Sequence, residues 1–118
     1  MSIVAELLNK PGVIAAGQYA YRGDRFSYKG HLSEDHARLL SIICRATTMS
    51  THMASDMLTG LQPDCRLHPA RGWMLRGPER SLCVLANTFC LFETAQSSPN
   101  EILGLMRRAL AAESMDLI

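Results

Sequence analysis

From Ser33 to Gly60 the chain reads SEDHARLLSIICRATTMSTHMASDMLTG, without a proline and without a glycine before the last position. Ser33 is a helix cap, and Glu34 and Asp35 suit the positive end of a helix dipole. The pattern predicts a helix running to Thr59, with Gly60 as its stop. About 27 residues at 1.5 Å each make a rod of roughly 40 Å. The chain has 118 residues, and a domain of that size has a radius of gyration of about 13–14 Å and is about 35 Å across. The helix therefore crosses the whole domain, and every other element has to be arranged along it.

At about 100° per residue, Leu39, Leu40, Ile42, Ile43, Ala46, Met49, Met53, Ala54, Met57 and Leu58 spread over roughly 180° of the helix. A helix that covers only its own sheet needs an apolar stripe of little over about 100°. The surplus needs a second cover. Ala46, Ser50 and Ala54 are small enough for a close approach of helices, and C2 is the commonest symmetry, so a second copy of the helix is the natural partner. The competing cover is the chain's own first or last helix. Beside the apolar arc, Arg38, Ser41, Arg45, Thr48, His52 and Ser55 recur at three- and four-residue steps as a narrow polar stripe. Its plain reading is a solvated face. Its functional reading is a docking surface for an acidic partner, centred on Arg38, Arg45 and His52, since arginine binds carboxylates through a planar fork.

The flanking segments are shorter. Ser2 caps a first helix with Ile3, Val4, Leu7 and Leu8 on one face, ended by Pro11-Gly12. Val13 to Tyr21 is a strand by its β-branched and small apolar residues, and Arg22-Gly23-Asp24-Arg25 turns it into Phe26-Ser27-Tyr28-Lys29. Gly72 to Arg76 reads as a third strand, and residues 81–94 (SLCVLANTFCLFET) as two more with Asn87-Thr88 as their turn. Ser98-Pro99-Asn100-Glu101 is a capping box with proline at the first helical position, followed by Ile102, Leu103, Met106, Ala109 and Leu110 on one face. The expected fold is α+β, in the order α-β-β-α-β-β-β-α, with a mostly antiparallel five-stranded sheet and residues 1–118 as a single domain.

Composition excludes several functions. Twelve basic residues against eleven acidic give a formal charge of +1, so the basic surplus of a nucleic-acid binder is missing. The longest apolar stretch is interrupted by Asn87 and Thr88 and falls short of the roughly 18 residues of a membrane span. The N-terminus has neither the basic region nor the cleavage site of a signal peptide. The expected location is the cytoplasm, where the four cysteines, Cys44, Cys65, Cys83 and Cys90, stay reduced.

The motifs are weak as chemistry. Gly12-Val13-Ile14-Ala15-Ala16-Gly17 has the glycine spacing of a phosphate loop, but Gln18-Tyr19 stands where lysine and serine or threonine are needed. Arg22-Gly23-Asp24 spells an adhesion tripeptide, which needs a secreted protein; here it is a turn. Cys65 and His68 can supply two metal ligands from one loop, with Cys44 or His52 to complete a site, but a structural zinc site declares two paired motifs and this chain has one. No G-x-S-x-G or other nucleophile signature supports a hydrolase. With the turn at Asn87-Thr88, Cys83 and Cys90 are diagonal neighbours in adjacent strands, too far apart for a disulfide, and act as small buried hydrophobes. The strand pair is apolar on both faces, so both faces must be covered. Of the seven methionines, three lie in the long helix, where core filling and a dimer seam account for them better than an adaptable binding groove.

The element order, together with Leu8-Asn9-Lys10-Pro11-Gly12-Val13-Ile14-Ala15-Ala16-Gly17, Tyr28-Lys29-Gly30, Gly72-Trp73 and Ser81-Leu82-Cys83-Val84, resembles the roadblock/dynein light chain superfamily. More narrowly, it is similar to a bacterial branch of roadblock-like proteins carried only as a domain of unknown function. The resemblance covers almost the whole chain and implies a profilin-like sandwich. It also implies a homodimer in which the third strands pair across the two-fold axis into one ten-stranded sheet, with the long helices side by side. On this chain that interface would comprise Ala46, Met49, Ser50, Met53, Ala54 and Met57 with Trp73, Met74 and Leu75. Roadblock proteins as a rule carry no catalytic residues or cofactor; they scaffold complexes and regulate small Ras-like GTPases. No motif for contacting a GTPase can be carried over residue by residue. The expected function is that of a non-enzymatic protein-interaction module. The alternatives are a small thiol or metal protein using Cys44, Cys65, His52 and His68, and an orphan hydrolase.

Overall fold

Three serines start the three helices. Ser2 accepts a hydrogen bond from the Ala5 N–H at 3.2 Å and opens α1 (Ile3–Leu8). Ser33 accepts from His36 at 3.1 Å and opens α2 (Glu34–Leu61). Ser98 accepts from Glu101 at 3.2 Å and opens α3 (Pro99–Leu110). Each satisfies one of the N–H groups that a helix start leaves without an internal partner. These features come from a computed structural model that describes residues 2–20, 22 and 25–110. Tyr21, Gly23 and Asp24 of the expected first hairpin lie outside the described residues, as does any extension of α3 past Leu110.

Helix α2 does not stop at Gly60. It continues through the glycine to Leu61, and the Gln62 N–H still bonds the Leu58 carbonyl at 2.8 Å. The stop is Pro63: Gln62 precedes it and is extended, with φ −145° and ψ 92°, because a proline disfavours the helical region for the residue before it. At 28 residues the helix is about 42 Å long, and the longest dimension of the molecule is 41 Å.

The strands are β1 (Val13–Tyr19), β2 (Phe26–Gly30), β3 (Gly72–Arg76), β4 (Arg80–Leu85) and β5 (Thr88–Glu93), in the order β2-β1-β5-β4-β3. Every neighbouring pair is antiparallel. The glycine-spaced run is a turn at Gly12 followed by strand β1 from Val13 through Gly17, with a bulge between Val13 and Ala15, and is not a loop that cradles a phosphate. Edge positions fall to β2 and β3.

The β4–β5 turn is Ala86-Asn87, one residue earlier than the sequence pattern predicts. Asn87 fixes it there: its carbonyl accepts from the Tyr19 N–H at 3.1 Å and its side-chain amide donates to the Tyr19 carbonyl at 3.1 Å, which ties the turn to β1. Moving the turn by one residue changes the pairing by two, so each side chain keeps its face but gains a new partner. Cys83 stands directly opposite Cys90, and Leu85 opposite Thr88; the expected diagonal placement of the two cysteines is corrected. Counted from a two-residue turn, Cys83–Cys90 is a hydrogen-bonded pair, whose Cβ atoms are farther apart than the roughly 3.8 Å of a disulfide. Both thiols are free.

Ala86 takes the left-handed region, with φ 53°. Only glycine enters that region without steric cost. Ala86→Gly is therefore expected to raise stability by up to about 1 kcal/mol, read as a higher urea midpoint with an unchanged slope.

The sheet is covered on both faces. On one, Val4 and Leu7 of α1 and Ile102, Met106 and Leu110 of α3 pack on Ala16, Cys83, Cys90 and Phe92. On the other, Tyr19, Leu82, Val84 and Phe89 meet Cys44 of α2, with Phe26, Leu40, Trp73 and Leu91 around them.

Candidate functional site

Helix α2 meets its own sheet with the wrong face for a helix of ordinary amphipathicity. The residues it buries are Ala37, Ser41, Cys44, Thr48 and Ser55. Leu39, Ile42, Ile43, Met49, Met53, Met57, Leu58 and Leu61 are all exposed, from 45% at Met49 to 84% at Leu61. The polar stripe expected to face solvent is thus corrected: Ser41, Thr48 and Ser55 point inward. Size explains the choice. The sheet face below carries Phe89, Val84, Leu82, Tyr19 and Trp73, and small helix residues let those large side chains fill the space between the layers.

The inward hydroxyls are satisfied. Ser41 donates to the Ala37 carbonyl at 2.8 Å, and Ser55 to the Leu67 carbonyl at 2.6 Å. Thr48, midway along the helix, accepts from the Trp73 indole N–H at 2.8 Å and shares a 3.1 Å hydrogen bond with the Tyr19 hydroxyl. One hydroxyl so joins α2 to β1 and to β3.

The outward stripe is contiguous with a bare sheet edge. Among the described residues β3 pairs only with β4; its central residues Trp73, Met74 and Leu75 carry no charge, and its one charged residue, Arg76, stands at its end. The opposite edge, β2, carries Lys29. Leu75 and Trp73 share the α2 face of the sheet with Leu82 and Val84, their partners in register, while Met74 lies on the α3 face with Cys83. Of the residues expected at a dimer seam, Ala46, Met49, Ser50, Met53, Ala54 and Met57 all lie on the exposed side of α2.

Arg38, Arg45 and His52 flank the buried face. Arg38 is exposed, 3.6 Å from Asp35, and its guanidinium lies 5.9 Å over the Phe26 ring. Arg45 and His52 are half-buried. With the serines and threonines turned inward, the candidate docking stripe narrows to these three side chains.

The residues of a thiol or metal site are not brought together. Cys44 is buried against the sheet, Cys65 sits beside Thr59 with Sγ 3.7 Å from its hydroxyl, and the His68 Nδ1 is 2.7 Å from Asp56. His52 stands eight residues along the helix from Cys44, about 12 Å. Among the described residues no group of three His, Cys, Asp or Glu side chains could hold a metal ion. Ser55, Asp56 and His68 do lie in one region, but the Ser55 hydroxyl is committed to a backbone carbonyl and the residue is buried. It is not a nucleophile poised beside a base.

Burial pushes the Cys44 thiol up to about 12 and the Cys83 thiol up to about 11. Burial, with the neighbouring Cys83, pushes Cys90 up to about 12. The thiolate is the reactive form, so native alkylation at neutral pH should label Cys65 first and leave these three until the chain unfolds, as peptide mapping will show. Because all three pKa values are raised in the folded state, the folded chain holds more protons than the unfolded chain above the ordinary thiol value of 9.0. Their contribution to stability is complete below that pH and is lost as the pH rises toward 11–12.

The α-β-β-α-β-β-β-α order, five-stranded sheet and two covered faces define a roadblock-like α+β sandwich. The chain is similar in fold to the roadblock-superfamily gliding protein MglB from Thermus thermophilus: the two structures align with a TM-score of 0.64 over 91% of this chain and 79% of that one, at 16% sequence identity. Within this fold the chain belongs to the family described as "Uncharacterized conserved protein (DUF2173)", whose model matches residues 3–108. No curated protein matches the chain. Among the described residues no helix is long and apolar enough to cross a membrane.

Proposed function

We propose that this protein is a non-enzymatic interaction module that works as a homodimer, with α2 packed against α2 of a second copy and β3 paired edge to edge with its counterpart. The observation that carries this reading is the reversed burial of α2. Eight large apolar side chains in one stripe are far from the scattered apolar residues that a monomer surface tolerates. A second copy covers the stripe and the open edge of β3 at once, because both lie on the same side of the molecule and the same patch serves both partners. The small residues Ala46, Ser50 and Ala54 allow the two helices to approach closely.

In the dimer, Arg38, Arg45 and His52 of each copy border the paired helices. An acidic protein surface is the partner that this flank fits, and a small Ras-like GTPase is the candidate that the roadblock resemblance favours. Light scattering after size exclusion at micromolar concentration should give twice the chain mass of 13.0 kDa, and a monomer would overturn the proposal. Partner binding is tested separately: Arg45→Glu should preserve the dimer and sharply weaken capture of an acidic partner. Unchanged capture by this variant would remove the flank from the proposal.

A further inference from the structure

Helix α3 packs on β4, and between its described residues and β3 lies a cleft on the face of the sheet opposite α2. The cleft has a volume of about 560 Å³, within the range of roughly 300–1,000 Å³ typical of small-molecule sites. Its apolar walls come from Leu103 and Leu110 of α3 and from Met74, Cys83 and Leu85 of the sheet. Gly72 keeps the floor open: it stands opposite Leu85, and a Cβ there would meet the Val84 carbonyl and lie 3.0 Å from the Leu85 side chain.

The charged residues that line the cleft are Arg71 and Arg107. Both are exposed, which places them at the rim and not the floor. Neither has a carboxylate partner among the described residues. Two unneutralised guanidiniums over an aliphatic trough select a ligand with an anionic head and an alkyl body. The guanidinium fork matches a carboxylate, and flexible aliphatic walls suit a chain of methylenes.

We infer that this cleft is a binding site for a medium-chain alkyl carboxylate, with the chain against Met74, Leu85, Leu103 and Leu110 and the head group on Arg71 and Arg107. The cleft lies on the face of the sheet opposite the α2 stripe and shares with the proposed dimer surface only strand β3; binding does not depend on that reading. Decanoate, kept below its micelle concentration, is the probe. Calorimetric titration is expected to show saturable binding at least about tenfold tighter than that of decanol, the difference being the charge-assisted hydrogen bonds. The double variant Arg71→Ala/Arg107→Ala, which changes only exposed side chains, should lose at least about tenfold of the decanoate affinity and none of the decanol affinity.

Carbon-13 methyl spectra of the methionines locate the ligand. Met74 should shift on saturation, while Met49, Met53 and Met57, on the other side of the sheet, should not. No saturable binding, equal affinity for decanol, or full affinity in the arginine variant would overturn the inference. So would shifts confined to the α2 methionines, which would place the amphiphile on the exposed helix face.

Discussion

Met53→Glu is expected to leave each chain folded while weakening self-association at least about 100-fold, equivalent to about 2.7 kcal/mol. Met53 is 64% exposed in the single chain, so glutamate there disturbs no internal contact and costs little in the monomer. In the proposed dimer the same side chain enters an apolar seam, loses water without gaining a partner, and faces its symmetry mate's negative charge across the two-fold axis. The contrast separates association from folding. Sedimentation across a concentration series should show the variant as a monomer where the wild type is a dimer, with an unchanged far-ultraviolet spectrum. A variant that remains dimeric would place the interface elsewhere.

Phe89→Ala should cost about 3–5 kcal/mol, the usual loss for a fully buried phenylalanine, and so a large part of a total of about 5–15 kcal/mol. Phe89 is completely buried on the α2 face of the sheet and stands opposite Gly17 in β1. The ring lies directly against that glycine: a Cβ on Gly17 would come within 2.6 Å of two ring carbons and would also meet the Ser27 carbonyl. Gly17→Ala should therefore be destabilising, and less so once the ring has been removed. A double-mutant cycle read from urea midpoints should give a coupling of at least about 1 kcal/mol between the two sites. Additive effects would mean that the Ser27 carbonyl, and not the ring, keeps Gly17 a glycine.

The sequence announced the helix starts because each depends on one residue acting on its own neighbours. Ser2, Ser33 and Ser98 cap as local chemistry predicts, and Pro63 imposes its conformation on Gln62. The end of α2 was misplaced because Gly60 permits a stop without requiring one. The turn at Ala86-Asn87 depends on Tyr19, 68 positions away, and no local pattern contains that contact. The two-residue change in pairing preserved the faces, so the separation of Cys83, Cys90 and Phe92 from Leu82, Val84 and Leu91 was legible even though their partners were not.

The orientation of α2 was hidden for a different reason. Hydrophobic periodicity locates an apolar stripe but says nothing of whose surface it meets. Where the covering surface belongs to another molecule, the usual assumption that apolar residues face the chain's own core points the wrong way. The inward row of Ala37, Ser41, Cys44, Thr48 and Ser55 then looks like a solvated face. The cleft beside Arg71 and Arg107 left no sequence signature either, since it is made by the spacing of α3 from β3 and by a missing side chain at Gly72.

A rod whose inner side is lined with small side chains resembles a smooth shaft on a bearing. It has few ridges to lock into grooves, and such interlocking is what ordinarily sets the angle of a helix on its support. The Thr48 hydroxyl acts as the key in that shaft. Held by Trp73 on one side and Tyr19 on the other, it fixes the roll of the helix about its own axis, and hence the direction in which Met49, Met53 and Met57 are aimed. Loss of a single oxygen atom would free a rotation that the surrounding packing does little to resist, and the aim of the whole outer face would drift with it.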